Sequence, residues 1–177
     1  MRKTFFTSMI GLFFFSACNN EPKVAGSTDE KSKRNIEVAH IINEAFRTGD
    51  ASKIDSVVSP EYIDHTDRGD MKGVDSLKAG IKWIHENMKD MKMELRKQWA
   101  DNEYVSSWMR FTGINNTAMP GFAAGPYDWN TIELTRYKDG KLVEHWGFME
   151  IQSVMKMMQT SGATTQAITD STAKKAK

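Results

Sequence analysis

The most constraining stretch of this chain is Thr131 to Glu150, TIELTRYKDGKLVEHWGFME. Thr131, Ile132, Leu134 and Tyr137 form a β-rich run. Asp139-Gly140 follows, a strong signal for a tight hairpin turn, because glycine tolerates the positive φ that such a turn needs. The return strand spans Leu142 to Met149. Strand side chains alternate, so Leu142, Glu144, Trp146, Phe148 and Glu150 share one face provided no bulge intervenes. A face that only built a core would not carry two carboxylates beside Trp146 and Phe148. Either the carboxylates sit at its open ends or they line a pocket.

The segments before this hairpin set the fold class. Ile36, Ala39, Ile42 and Phe46 predict an amphipathic helix over Lys33 to Thr48, closed by Gly49. Asp50 is expected to cap a short helix carrying Ile54, Val57 and Val58, which Pro60 ends. Glu61 to Thr66 reads as extended and Asp67 to Lys72 as a polar loop. Val74, Leu77, Ile81, Ile84 and Met88 predict a second long helix. Met91 to Ala100 and Tyr104 to Ile114 read as strands, and Asn115 to Tyr127 as a Gly/Pro loop. Ile151 to Gln159 is expected to form a final short helix. Helices segregated ahead of an antiparallel meander mean α+β rather than alternating α/β. The expected architecture is a cone, with a curved antiparallel sheet wrapped on the N-terminal helices around an internal cavity.

The remaining residues read as targeting and tail segments. Arg2 and Lys3 precede an apolar run, Phe5 to Ala17, that falls short of the ~20 helical residues a bilayer crossing needs. It ends Phe15-Ser16-Ala17-Cys18, small residues before the sole cysteine of the chain. This resembles the bacterial lipobox and implies a signal peptide over 1–17, with Cys18 lipidated as the mature N-terminus. An ordinary signal peptide with an incidental Cys18 is the other reading. Residues 18–32 read as a flexible tether, 33–159 as the domain and 160–177 as a disordered tail. The expected location is the bacterial cell envelope, with the membrane reached through Cys18. Lys+Arg 24 against Asp+Glu 23 leaves no electrostatic footprint for nucleic acid.

Three features resemble the SnoaL-like polyketide cyclase branch of the nuclear transport factor 2-like superfamily. They are Tyr62-Ile63-Asp64-His65 ahead of the Gly73-led helix, the Gly/Pro loop between long strands, and Asp139-Gly140-Lys141-Leu142-Val143-Glu144-His145-Trp146 leading to Glu150. The resemblance spans roughly Ile36 to Gln159. It implies the cone fold, no metal and no cofactor, a homodimer through the exposed sheet face, and an acid at the position of Glu150 as general base. Glu stands here where the family has Asp.

The residues themselves give the following expectations. Glu150 among Trp146, Phe148 and Met149 is a desolvated base, or else an ordinary acid that caps the final helix. Asp64 and His65 point opposite ways on a strand, and His65 is favoured for the pocket as an oxyanion donor. His145, opposite in parity to Trp146, reads as a surface or sheet-packing residue. Tyr62, Trp83, Trp108, Trp146 and Phe148 are candidates for lining an apolar cavity, with Met119 and Phe122 of the loop closing over it. Arg110 is placed to anchor an acidic ligand or to snorkel to the surface. His65 and His145 lack close metal-ligand spacing, so no metal is expected. The expected partner is a small, largely apolar molecule. It is either turned over by cofactor-free cyclisation, isomerisation or dehydration, or simply bound.

Overall fold

The computed structural model describes residues 24–26, 29–117 and 124–156. The expected signal peptide, Cys18, most of the tether, Met119, Phe122, the last three residues of the expected final helix (157–159) and the tail 160–177 lie outside the described residues.

A short strand β1 (Val24–Gly26) precedes helix α1 (Glu30–Thr48). The helix starts earlier than its apolar spacing predicts. The Asp29 carboxylate accepts hydrogen bonds from Lys31 N and Ser32 N and so caps free donors of the first turn. Gly49, at φ 79°, closes it in the left-handed conformation. Asp50 does not cap α2 (Ile54–Val57). Its carboxylate instead accepts from Ser52 N in the preceding turn. The chain turns directly into β2 (Val58–Thr66), which pairs with β3 (Gly69–Lys72). The stretch expected as a polar loop is therefore mostly a short edge strand. Its residues are all exposed, so no apolar alternation marks it.

Helix α3 (Val74–Asn87) leads to β4 (Met88–Ala100), β5 (Tyr104–Asn115), β6 (Gly125–Lys138) and β7 (Lys141–Met149). Residues 151–156 are helical. One seven-stranded sheet results, in the order β1-β4-β5-β6-β7-β2-β3. Two pairings are parallel, β1 with β4 and β2 with β7; the others are antiparallel. Asp139 and Gly140 both have positive φ, 53° and 71°, as the expected two-residue hairpin requires. The α+β class and the sheet wrapped on the N-terminal helices are as expected.

Helices α1 and α3 cover the inner face of the sheet. The core there is Val38, Ile42, Ile54, Val58, Leu77, Ile81, Val105 and Leu142, with Tyr62 and Tyr137. Along β5 the inward residues are Val105, Ser107 and Met109, while Trp108 points out. The parity switch in its apolar pattern reflects two apolar faces. The β5–β6 register itself runs without a shift.

The return strand β7 does carry a bulge. Tyr137 pairs with Leu142, but the preceding Arg136 pairs with Glu144, which leaves Val143 as the extra residue. This inverts the face assignment of everything after it. Leu142 is 1 % exposed in the core, whereas Glu144, Trp146 and Phe148 lie on the outer face. His145, rather than Trp146, points inward.

Candidate functional site

Between the helices and the inner face of the sheet lies a cavity of about 320 Å³, within the usual range for small-molecule sites. Ile42 and Phe46 from α1, Leu77 and Ile84 from α3, and Met71, Met93, Phe111 and Leu142 from the strands make it largely apolar. Its ionisable groups, Tyr62, Asp64, Glu133 and His145, all come from the sheet side, while Asn43 and Ser76 are polar groups on the helix side.

These groups meet because of strand register. The parallel β2–β7 pairing sets Asp64 directly beside His145. The antiparallel β6–β7 pairing sets Glu133 opposite Gly147. Gly147 has no side chain, so Glu133 reaches across to His145; a Cβ at 147 would lie 3.3 Å from Glu133 Oε2. His145 Nδ1 is 2.8 Å from Asp64 Oδ1 and its Nε2 is 2.7 Å from Glu133 Oε2. Ionised carboxylates only accept hydrogen bonds, so the imidazole donates from both nitrogens and is held as the cation. Burial alone would lower the pKa of His145. The hydrogen bonds to Asp64 and Glu133, and their charge, outweigh it and push the pKa up to about 9.

Tyr62 is 1 % exposed and lines the same wall. Burial, then the negative charge of Asp64 and Glu133, pushes its phenol well above the ordinary range. It is a neutral O–H donor at any physiological pH. Its hydroxyl has no hydrogen-bond partner among the described residues.

The other residues expected at the pocket lie elsewhere. His65 sits beside Trp146 in the β2–β7 register, on the outer face. The rings stack with centroids 4.7 Å apart, and His65 Nδ1 is 2.9 Å from Asp70 Oδ1. Of the adjacent pair, Asp64 is the one facing the cavity. Glu150 does not line the cavity. It follows the outer-face parity of Trp146 and Phe148 and accepts a hydrogen bond from Asn130 Nδ2 at 3.1 Å. Its carbonyl accepts from Val154 N, which starts the helical turn 151–156. Trp83 and Trp108 are solvent-exposed, and Phe148 is 52 % exposed. Arg110 makes a bidentate pair with Asp128 at 2.8 and 2.7 Å and holds that carboxyl below its usual pKa range. Its guanidinium is committed on the outer face and anchors nothing in the cavity. Of the expected cavity-lining residues within the described set, Tyr62 alone is found there. Glu133 carried no sequence signal of its own. His145 carried one, the possibility of a bulge in β7.

The fold is an α+β cone whose curved sheet and helices surround a largely apolar cavity. Residues 36–158 match the SnoaL-like polyketide cyclase family, and the chain belongs to that family. No match was found among curated proteins. Among solved structures, TsrD from Streptomyces laurentii superposes with a TM-score of 0.63 at 19% identity, over 74% of this chain and 97% of that one. Wild-type IdmH from Streptomyces antibioticus gives 0.57 at 14% identity, over 71% and 98%. An NTF2-like protein from Mesorhizobium loti gives 0.58 at 14% identity, over 72% and 99%. At these identities the likeness is one of fold.

Proposed function

We propose that the cavity binds a small, largely apolar molecule and carries out cofactor-free acid/base chemistry at its polar wall, of the cyclase, isomerase or dehydratase kind. The single observation that carries this reading is the Asp64–His145–Glu133 bridge inside an otherwise apolar cavity. Burying three ionisable groups there costs the fold unless they are mutually paired. On this reading a carbonyl oxygen of the substrate accepts from the Tyr62 hydroxyl. A carboxylate oxygen of Asp64 or Glu133 not bonded to His145 removes the adjacent carbon-bound proton. The imidazolium keeps both carboxylates oriented, and Tyr62 stabilises the enolate oxygen.

The test is hydrogen–deuterium exchange next to the carbonyl of 2-tetralone, an apolar bicyclic ketone, followed by NMR. The domain is expected to accelerate exchange over buffer. Of Asp64→Asn and Glu133→Gln, the one that removes the base should lose roughly 10²–10⁴-fold, the usual worth of a positioned base, and His145→Gln should lose activity by releasing both carboxylates from position. The rival assignment makes Glu150 the base, and a comparable loss in Glu150→Gln would restore it. Binding of the ketone with no acceleration would make the protein a non-catalytic binding module.

We propose separately, on the small residues before the sole cysteine, that the domain sits at the bacterial envelope, tethered through a lipidated Cys18. The outer sheet face supports a homodimer. Trp99, Trp108 and Phe148 are exposed there around the half-buried Ile132 and Leu134, the kind of apolar patch that marks an interaction surface. Sedimentation of residues 29–177 is expected to show a dimer that Phe148→Glu dissociates. A wild-type monomer at tens of micromolar would end that proposal.

A further inference from the structure

The charge inventory of the cavity is one-sided. Among the described residues that line it, the ionisable groups besides Tyr62 are Asp64, Glu133 and His145; no lysine or arginine is present. With the imidazole protonated, the formal balance is two negative charges against one positive. Among the neutral side chains, the Asn43 amide can both donate and accept. Both His145 nitrogens are taken by carboxylates. The Ser76 hydroxyl donates to Gly73 O, and that of Thr135 to Val105 O or Tyr137 Oη. Asp64 Oδ2 and Glu133 Oε1 carry no hydrogen bond among the described residues and can only accept. The 99 % buried Tyr62, its hydroxyl unpartnered, is an independent sign that a ligand's polar end belongs at this wall.

We infer that the cavity admits uncharged and cationic molecules and rejects anions, so that the polar end of its ligand is a carbonyl, a hydroxyl or an amine and not a carboxylate. This rests on the reading of the cavity as a ligand site. A hydroxyl satisfies both sides of the wall at once, accepting from Tyr62 and donating to a carboxylate oxygen. An ammonium donates to both carboxylates and cancels the net charge. A ligand carboxylate would face two carboxylates with no free cation, in a setting where water screens poorly.

The experiment uses three near-isosteric probes on the full chain: 1-naphthalenemethanol, 1-naphthylmethylamine and 1-naphthoate. Affinities are measured by titration calorimetry at pH 7. The alcohol and the amine are expected to bind at least roughly tenfold more tightly than the acid, since one unscreened like charge is worth that or more. Glu133→Gln removes one negative charge and should narrow the gap. Equal affinity for all three, or tightest binding of the acid, overturns the inference and leaves the cavity as a ligand site. Binding of none of the three overturns the ligand-site reading itself and the inference with it. The comparison on the wild-type chain decides the matter even where Glu133→Gln does not fold.

Discussion

Raising the pH from about 6.5 to about 9 is expected to cost the fold stability on the order of 3 kcal/mol through His145 alone. The sign follows from which state holds the proton more tightly. In the unfolded chain the imidazole titrates near 6.5; in the folded chain Asp64 and Glu133 hold its proton until about 9. Below the lower value both states are protonated and the contribution is complete. Between the two values the folded state binds more protons than the unfolded one, so stability falls as pH rises. Above the upper value the contribution is gone. Urea unfolding at intervals from pH 6 to 10 measures this, with His145→Gln as the comparison. The difference between wild type and variant should shrink steadily across the window. A difference independent of pH would mean that the imidazole is not held between two carboxylates.

Leu142→Ala is expected to cost about 2–5 kcal/mol, the range for truncating a buried leucine that leaves a partly unfilled space. Leu142 is 1 % exposed, pairs with Val58 across the parallel strands and belongs to the main core. The neighbouring Val143 is the extra residue of the bulge and only half-buried. Val143→Ala should cost about 1 kcal/mol or less. The pair of variants, compared by urea midpoint, tests the bulge directly. Without it, the face that carries His145 into the cavity would also carry Val143 inward, and the valine would be the costlier loss.

Both predictions turn on one irregularity in β7, and so does the outcome of the sequence reading. Alternation along an ideal strand groups Glu144, Trp146, Phe148 and Glu150 with the inward Leu142. One inserted residue sends that whole set to the outer face and brings His145 in. Trp146 and Phe148 therefore face away from the cavity, and Glu150 finishes a strand and opens a helical turn. The same parity logic, applied to Tyr62-Ile63-Asp64-His65, correctly required that only one of Asp64 and His65 face the pocket. The choice of His65 was wrong, because which of the two faces in depends on which neighbour β2 acquires. That neighbour is β7, and the pairing is parallel.

The sequence by itself determined the elements that local physics governs. Apolar spacing set the two long helices, Gly49 their first boundary, and Asp139-Gly140 the hairpin. Their order set the α+β class, and the motif around that turn pointed to the family. These signals are local, carried by side chains a few residues apart. Tertiary structure alone decided the site. Asp64, Glu133 and His145 are separated by 12 to 81 positions along the chain and meet only through the register of three strands, one bulge and a missing side chain at Gly147. A bulge costs little locally and leaves no fixed mark in composition, yet it reverses every residue after it, because the strand period is two.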